Sequence, residues 1–431
     1  MDWVFIKDVK HYDEKEVTLK GWVYNKRSSG KIWFLIMRDG TGIIQGVVLK
    51  NEVSEEVFNK KDELTQESSI VVRGLIHADK RSPGGYEIVV KDIEIVQIAD
   101  EYPIALKEHG VEFLMDNRHL WLRSRKQWAI LRIRHTVYHA ISDYLNMNGF
   151  YRFDSPLLTP NACEGTTTLF KVPYFDLGNA YLSQSGQLYL EAGIMSLGRV
   201  YDFGPVFRAE KSKTRKHLTE FWMMDAEAAF IEHDDNLKIQ EELIRFVINA
   251  VLEKNLSDLE VLERDVEQLK KADAPFKRMT HKETVEFLRS KGSEITEKDD
   301  LGAKDEVLLT EDSDVPIFVE KWPKEVKAFY MKRDKDNPDL VLGADLIAPE
   351  GFGEIIGGSQ REDDHDLLYK RMVDENMPLE DYQWFLDLRK YGSVPHSGFG
   401  VGLERLVQWM SGTKHIREVI PFARTIYRLK P

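Results

Sequence analysis

The sequence predicts an α+β protein in two parts, a small β-barrel followed by a larger region that mixes strands and helices. Three observations lead there. Over residues 1–100, short strand-like runs are broken by turn residues. A long apolar-periodic helix follows, from about Ser124 to Asn148. Beyond it, apolar strands alternate with helices to the end of the chain. A length of 431 residues also exceeds one ordinary compact domain.

In order, the predicted strands are Val17–Tyr24, Ile32–Arg38, Ile43–Leu49, Ser69–Ile76 and Tyr86–Gln97. Their separators, Ser28-Ser29-Gly30, Asp39-Gly40-Thr41-Gly42 and Ser82-Pro83-Gly84-Gly85, are strong turn signals. With one helical stretch at Ser54–Leu64, this fits a five-stranded barrel of the OB type, although an all-β sandwich gives the same pattern. Residues 101–122 read as a connector and 123–431 as the second domain. In the long helix Ile130, Ile133, Val137 and Ile141 repeat at helical spacing, and Asn148-Gly149 supplies the stop. The charge-dense stretch 291–314 reads as a solvated surface insertion.

Composition excludes several classes. No apolar run approaches the ~20 residues of a membrane span, and the charged N-terminus does not resemble a signal peptide. The single cysteine, Cys163, excludes an internal disulfide and agrees with a reducing, cytoplasmic compartment. The net charge of −13 weighs mildly against nucleic-acid binding, but a local basic groove can coexist with an acidic remainder.

Three segments carry chemistry. Phe207-Arg208-Ala209-Glu210 leads into a basic loop, Lys211 to His217, and then Leu218 to Trp222: a hairpin presenting Arg208 and Glu210 beneath five basic residues. Arg suits phosphate because its guanidinium is a flat, permanently charged fork. The alternative is an exposed hairpin with a solvated tip. In the second segment Asp345 and Glu354 flank a glycine-rich turn between apolar strands. Paired carboxylates need a cation between them, and Mg²⁺ bridging ATP phosphates is the natural one, against an ordinary hairpin with surface acids. The third, Gly398-Phe399-Gly400-Val401-Gly402-Leu403-Glu404-Arg405, allows close backbone approach and then starts a helix bearing Arg405.

Taken in order, Pro156 after the long helix, Phe207-Arg208-Ala209-Glu210 and Gly402-Leu403-Glu404-Arg405 resemble the three motifs of class II aminoacyl-tRNA synthetases. The OB-like domain points to the aspartate, asparagine and lysine subgroup. Gln184-Ser185-Gly186-Gln187-Leu188-Tyr189-Leu190-Glu191 and Gly353 to Glu362 look like its asparaginyl branch. The similarity covers essentially the whole chain.

The resemblance implies a catalytic sheet of six or seven antiparallel strands flanked by helices. It further implies ATP-dependent activation of L-asparagine and its transfer to the 3′ end of tRNA. Arg208 would hold the carboxylate and α-phosphate, and Glu210 the nucleoside side. Phe221 and Arg405 would sandwich the adenine next to Gly402, and Arg215 and His217 would reach the distal phosphates. Asp345 and Glu354 would bind Mg²⁺. Glu164, Ser185 and Gln187 would line the amino-acid pocket, Arg361 would read the side-chain carbonyl, and Asp225 would accept from the amide. In the barrel, Phe34 and Gln45 match anticodon-reading positions, with Lys26 and Arg27 on the RNA backbone. The long helix and Pro156 would form a homodimer interface.

Two departures stand out. Asparaginyl enzymes usually carry Glu at the position of Asp225, and a second proline at that of Ala423. Asp225 favours an aspartyl enzyme. Leu190, standing where aspartyl enzymes place a Lys, argues against it because no cation then meets the substrate carboxylate. Further rivals are a paralogue that amidates aspartyl-adenylate, disfavoured by the barrel, and a non-catalytic RNA-binding relative, disfavoured by the intact motif residues.

Overall fold

The structure, a computed structural model, describes residues 3–163, 169–211 and 217–431. It divides into two compact units, Met1–Leu114 and Met115–Pro431.

In the first unit β1 (Glu16–Ser29), β2 (Ile32–Arg38), β3 (Ile43–Leu49), β4 (Ser69–Ala78) and β5 (Tyr86–Gln97) close into a barrel in the order β1-β2-β3-β5-β4. Closure through the parallel β3–β5 pair removes the sandwich alternative. Period-two alternation sends Leu19, Trp33, Leu35, Ile44, Val72 and Ile88 into the core. Helix α1 (Glu55–Glu63) starts where the Ser54 side chain accepts from the Val57 N–H. Strand β1 runs past the predicted Tyr24 to Ser29, because its second half pairs with β2 beyond a bulge between Val23 and Asn25.

In the second unit α2 (Arg125–Met147) is capped by Ser124 and buries Ile130, Ile133, Val137 and Ile141. It packs on α4 (His233–Lys254), described with the sheet below. The chain continues through β6 (Tyr151–Arg152), α3 (Gln187–Leu197), β7 (Arg199–Phe207), β8 (Glu220–Ala229), α4, β9 (Lys277–Thr280), α5 (Ala303–Thr310), β10 (Ile317–Pro323), β11 (Leu340–Ala348), β12 (Gly353–Gln360), β13 (His396–Gly402) and α6 (Leu403–Ser411). The sheet has eight strands, in the order β9-β10-β11-β12-β13-β8-β7-β6. The six central strands are antiparallel, as expected, but β6 and β9 add parallel pairs at the two edges. Each edge strand joins its neighbour through a crossover containing a helix, and that connection makes a parallel pair.

Segment 291–314 is largely exposed, as its charge predicts, but it is also docked on the fold. It contains α5, and Ile295 and Leu309 are buried with Val285 and Val319. A few apolar residues suffice to dock a charge-rich helix when each one points inward. Near the start of the second unit, within the stretch expected to be a connector, Arg118 is buried and donates to the carbonyls of Glu418, Ile420 and Pro421. That pins the segment in which Ala423 replaces the expected proline.

Candidate active site

A cavity of ≈ 330 Å³ opens over the central strands of the larger unit. Its lining includes Ser185, Gln187, Arg208, Glu210, His217, Phe221, Asp225, Asp345, Glu354, Arg361, Gly402 and Arg405, so one hollow gathers residues far apart in sequence. Glu164 and Arg215 lie outside the described residues.

At one end, Arg208 follows β7, and its N–H donates to the Thr219 carbonyl, which carries the hairpin one step beyond the strands. Its guanidinium lies 5.6 Å from the centroid of the Phe221 ring. Arg405 projects from the first turn of α6, just past Gly402, and its Nη1 donates to the Glu354 carbonyl at 2.7 Å. Phe221 and Arg405 thus share the cavity, but Phe221 faces Arg208 while Arg405 is held by Glu354. Burial, then Arg405, keeps the His217 imidazole below its ordinary pKa. Glu404 serves the scaffold: it accepts from Arg134 of α2 and from the Trp222 N–H.

Asp345 on β11 lies opposite Gly357 on β12, beside Glu354. A Cβ on residue 357 would sit 3.1 Å from Glu354 Oε1 and 3.8 Å from Asp345 Oδ1, so both oxygens converge on the space that the missing side chain leaves. Burial pushes Asp345 up, Lys327 opposes, and Glu354 and Asp300 add to the rise, to about 7. Burial also acts on Glu354, but Arg405, Lys327 and Arg208 outweigh it and hold that carboxyl low. Two carboxylate oxygens over an open cradle fit Mg²⁺, which is held by one or two protein carboxylates together with substrate phosphates.

At the other end, β8 places Asp225 and Glu227 on one face, directly opposite Gly400 and Gly398 of β13. The close approach that this glycine run allows is used here by the chain's own acids. Asp225 Oδ2 accepts from Ser185 Oγ at 2.8 Å and from the Gly186 N–H at 2.9 Å. Arg361 is buried, and its Nε donates to Glu227 Oε1 at 3.1 Å while its Nη1 donates to Ser359 Oγ at 2.6 Å. Burial would lower Arg361, but Glu227 outweighs it and raises the guanidinium further. Gln187 Nε2 donates to Glu191 Oε1 at 3.2 Å. Glu191 is fully buried, and although burial pushes it up, Arg389 and His396 hold it down to about 2. Leu190 lies in the core with Ile194 and Val200 and brings no charge to this end. Behind Asp225, its cross-strand neighbour Asp202 is pushed up to about 8 by burial and by Asp225.

Several of these groups were missed in the sequence. Glu227 could have been found, since it stands two residues from Asp225 on the same strand face. Lys327, Asp300 and Asp202 carry no local signal.

In the barrel, Phe34 and Gln45 point outward beside the buried Trp33 and Ile44. Arg27, opposite Phe34, lies with its guanidinium 4.6 Å from that ring's centroid. Gln45 Nε2 lies 3.3 Å from both Ser82 Oγ and Glu87 Oε2. Lys26 does not join this face. Its ammonium donates to the Lys61 carbonyl at the end of α1, because neighbouring residues of a strand point to opposite sides.

Residues 110–426 match the family model described as tRNA synthetases class II (D, K and N), and residues 17–96 match that of an OB-fold nucleic acid binding domain. The chain belongs to the class II tRNA synthetases of this group. It is 54% identical over 431 residues, the full length of both chains, to an asparagine–tRNA ligase of Pelotomaculum thermopropionicum. A crystal structure of asparaginyl-tRNA synthetase from Pyrococcus horikoshii complexed with asparaginyl-adenylate superposes with a TM-score of 0.96 at 47% identity, covering 100% of each chain. The Entamoeba histolytica asparaginyl-tRNA synthetase with the same adenylate gives 0.90 at 32%, again over 100% of each. Within the family, the chain falls among the asparagine–tRNA ligases.

Proposed function

We infer that the chain activates L-asparagine with ATP to asparaginyl-adenylate and transfers it to the 3′ end of tRNA(Asn). The observation that carries this reading is the single cavity that holds Arg208, Arg405 and the converging Asp345 and Glu354 at one end, and Asp225 with the Glu227-locked Arg361 at the other.

The substrate carboxylate attacks the α-phosphorus in line and pyrophosphate leaves. No protein nucleophile is needed; the work is positioning and charge stabilisation. Arg208 bridges the carboxylate and α-phosphate, Glu210 contacts the nucleoside, and Phe221 and Arg405 flank the adenine. His217 and Arg215 serve the distal phosphates. Asp345 and Glu354 hold Mg²⁺, which when bound supplies positive charge to the phosphate oxygens. Glu164, Ser185 and Gln187 hold the α-amino end, Arg361 the side-chain oxygen and Asp225 the amide. The tRNA ribose hydroxyl then attacks the acyl carbon of the adenylate, the acyl–phosphate bond breaks and AMP leaves.

In this reading residues 1–100 bind the anticodon through Arg27, Phe34 and Gln45, 101–122 connect, and 123–431 catalyse. A cytoplasmic location is supported by the use of a single, buried cysteine, Cys163, and a homodimer by the exposed apolar Met147, Tyr151, Leu157 and Leu158 at the end of α2 and around Pro156. No described helix is long and apolar enough to cross a membrane.

The test is ATP–pyrophosphate exchange with asparagine and aspartate side by side, followed by tRNA charging. Asp225 opposes a second carboxylate, and residue 190 offers no cation, so kcat/KM should favour asparagine. A ratio favouring aspartate would promote the aspartyl or amidating alternative.

A further inference from the structure

Asp345 and Glu354 are tied in the same way. Glu354 gives Oε2 to Arg405 Nη1 at 3.4 Å and turns Oε1 toward the space over Gly357. Asp345 gives Oδ2 to Lys327 Nζ at 2.6 Å and turns Oδ1 toward the same space. Each carboxylate thus has one oxygen on a fixed cation and the other aimed at a shared point. Lys327 is itself held. Its Nζ lies 3.8 Å from the Trp322 ring centroid and 3.5 Å from Asp300 Oδ1, and its side chain is only 11% exposed. A lysine is normally a mobile point charge on a flexible stem. Here the tryptophan face, two carboxylates and burial hold the ammonium in place, with its shorter hydrogen bond to Asp345 and its longer one to Asp300.

We propose that Lys327 is a positioning residue for the metal: by occupying Asp345 Oδ2 it fixes the carboxylate so that Oδ1 is presented, with Glu354 Oε1, to a divalent cation. Asp300, from the segment before α5, secures Lys327 from the other side. Groups that orient a ligating carboxylate in this way typically govern metal affinity by about 10–100-fold. An ammonium this near a cation site also repels the cation, and the geometry decides between the two effects. Lys327 bonds the oxygen turned away from Gly357, so it does not stand in the cradle.

This inference rests on the reading of Asp345 and Glu354 as metal ligands, and the experiment separates the two. Binding of Mn²⁺ alone to the full-length protein is measured by electron paramagnetic resonance, with thermal melts to verify folding. Lys327→Met should weaken Mn²⁺ binding about 10–100-fold, and pyrophosphate exchange by this variant should recover as Mg²⁺ is raised. Lys327→Gln keeps a donor without the charge and should bind Mn²⁺ distinctly better than Lys327→Met. Native or tighter Mn²⁺ binding by folded Lys327→Met overturns the proposal. So does Lys327→Gln binding as poorly as Lys327→Met, which would leave charge alone as its role. If Lys327→Met does not fold, Lys327→Gln against native protein decides: near-native affinity supports the proposal, and a full 10–100-fold loss overturns it. Asp345→Asn and Glu354→Gln serve as the separate control. Undiminished Mn²⁺ binding by both would refute the metal reading itself, whatever Lys327 does.

Discussion

Glu227 and Gly398 lie directly opposite each other on β8 and β13, and a Cβ on residue 398 would fall 2.1 Å from the Glu227 carboxyl carbon. Glu227 in turn fixes Arg361, so a glycine of the run just before the third motif controls the aim of the residue assigned to the substrate side chain. Gly398→Ala should lose about 1–3 kcal/mol of stability through overpacking. It should also raise the KM for asparagine more than that for ATP. Urea unfolding and pyrophosphate exchange measure the two effects, and an unchanged asparagine KM would break the link between Gly398 and Arg361.

Glu354→Gln should abolish adenylate formation and leave the fold intact. The substitution keeps the side-chain shape but removes the charge that, with Asp345, makes the pair a cation site. Pyrophosphate exchange and circular dichroism suffice to check it. Full exchange activity in the variant would mean that Glu354 holds no metal.

Phe34→Ala should reduce tRNA recognition by about 1–3 kcal/mol, the range for losing one stacking partner of a base. Activation of asparagine without tRNA should be untouched, since Phe34 belongs to the barrel. Equal damage to charging and activation would remove the anticodon role.

Asp202 makes stability depend on pH. Burial and the neighbouring Asp225 raise it to about 8, above the ordinary carboxylate value expected when unfolded. Between those values the native state holds a proton that the unfolded state lacks, so stability falls as pH rises through the window, by up to about 1.4 kcal/mol per unit. Asp202→Asn, which mimics the protonated form, should remove this slope. Melting temperatures from about pH 5 to 8 should show the variant gaining on the native protein as pH increases. Parallel curves would place the proton elsewhere.

What the sequence determined by itself is what local patterning encodes. Alternation gave the barrel strands, because a half-buried strand repeats every second residue, and Ser54 and Ser124 marked helix starts through their side-chain caps. The motif segments pointed to the residues assigned here to phosphate and metal, because Arg208, Glu354 and Arg405 each sit in a short segment whose residue types already suit phosphate or a cation. The tertiary structure decided which oxygen of each acid is tied and which is turned to the cavity. Lys327 meets Asp345 across the lining of one cavity, Asp300 arrives from a segment whose charge disguised its buried apolar residues, and Lys26 turns to a helix end instead of joining Phe34. The physical reason is the same in each case. A buried charge must find a partner, and which partner it finds depends on chain crossings that join residues remote in sequence, where no periodicity or spacing carries the information.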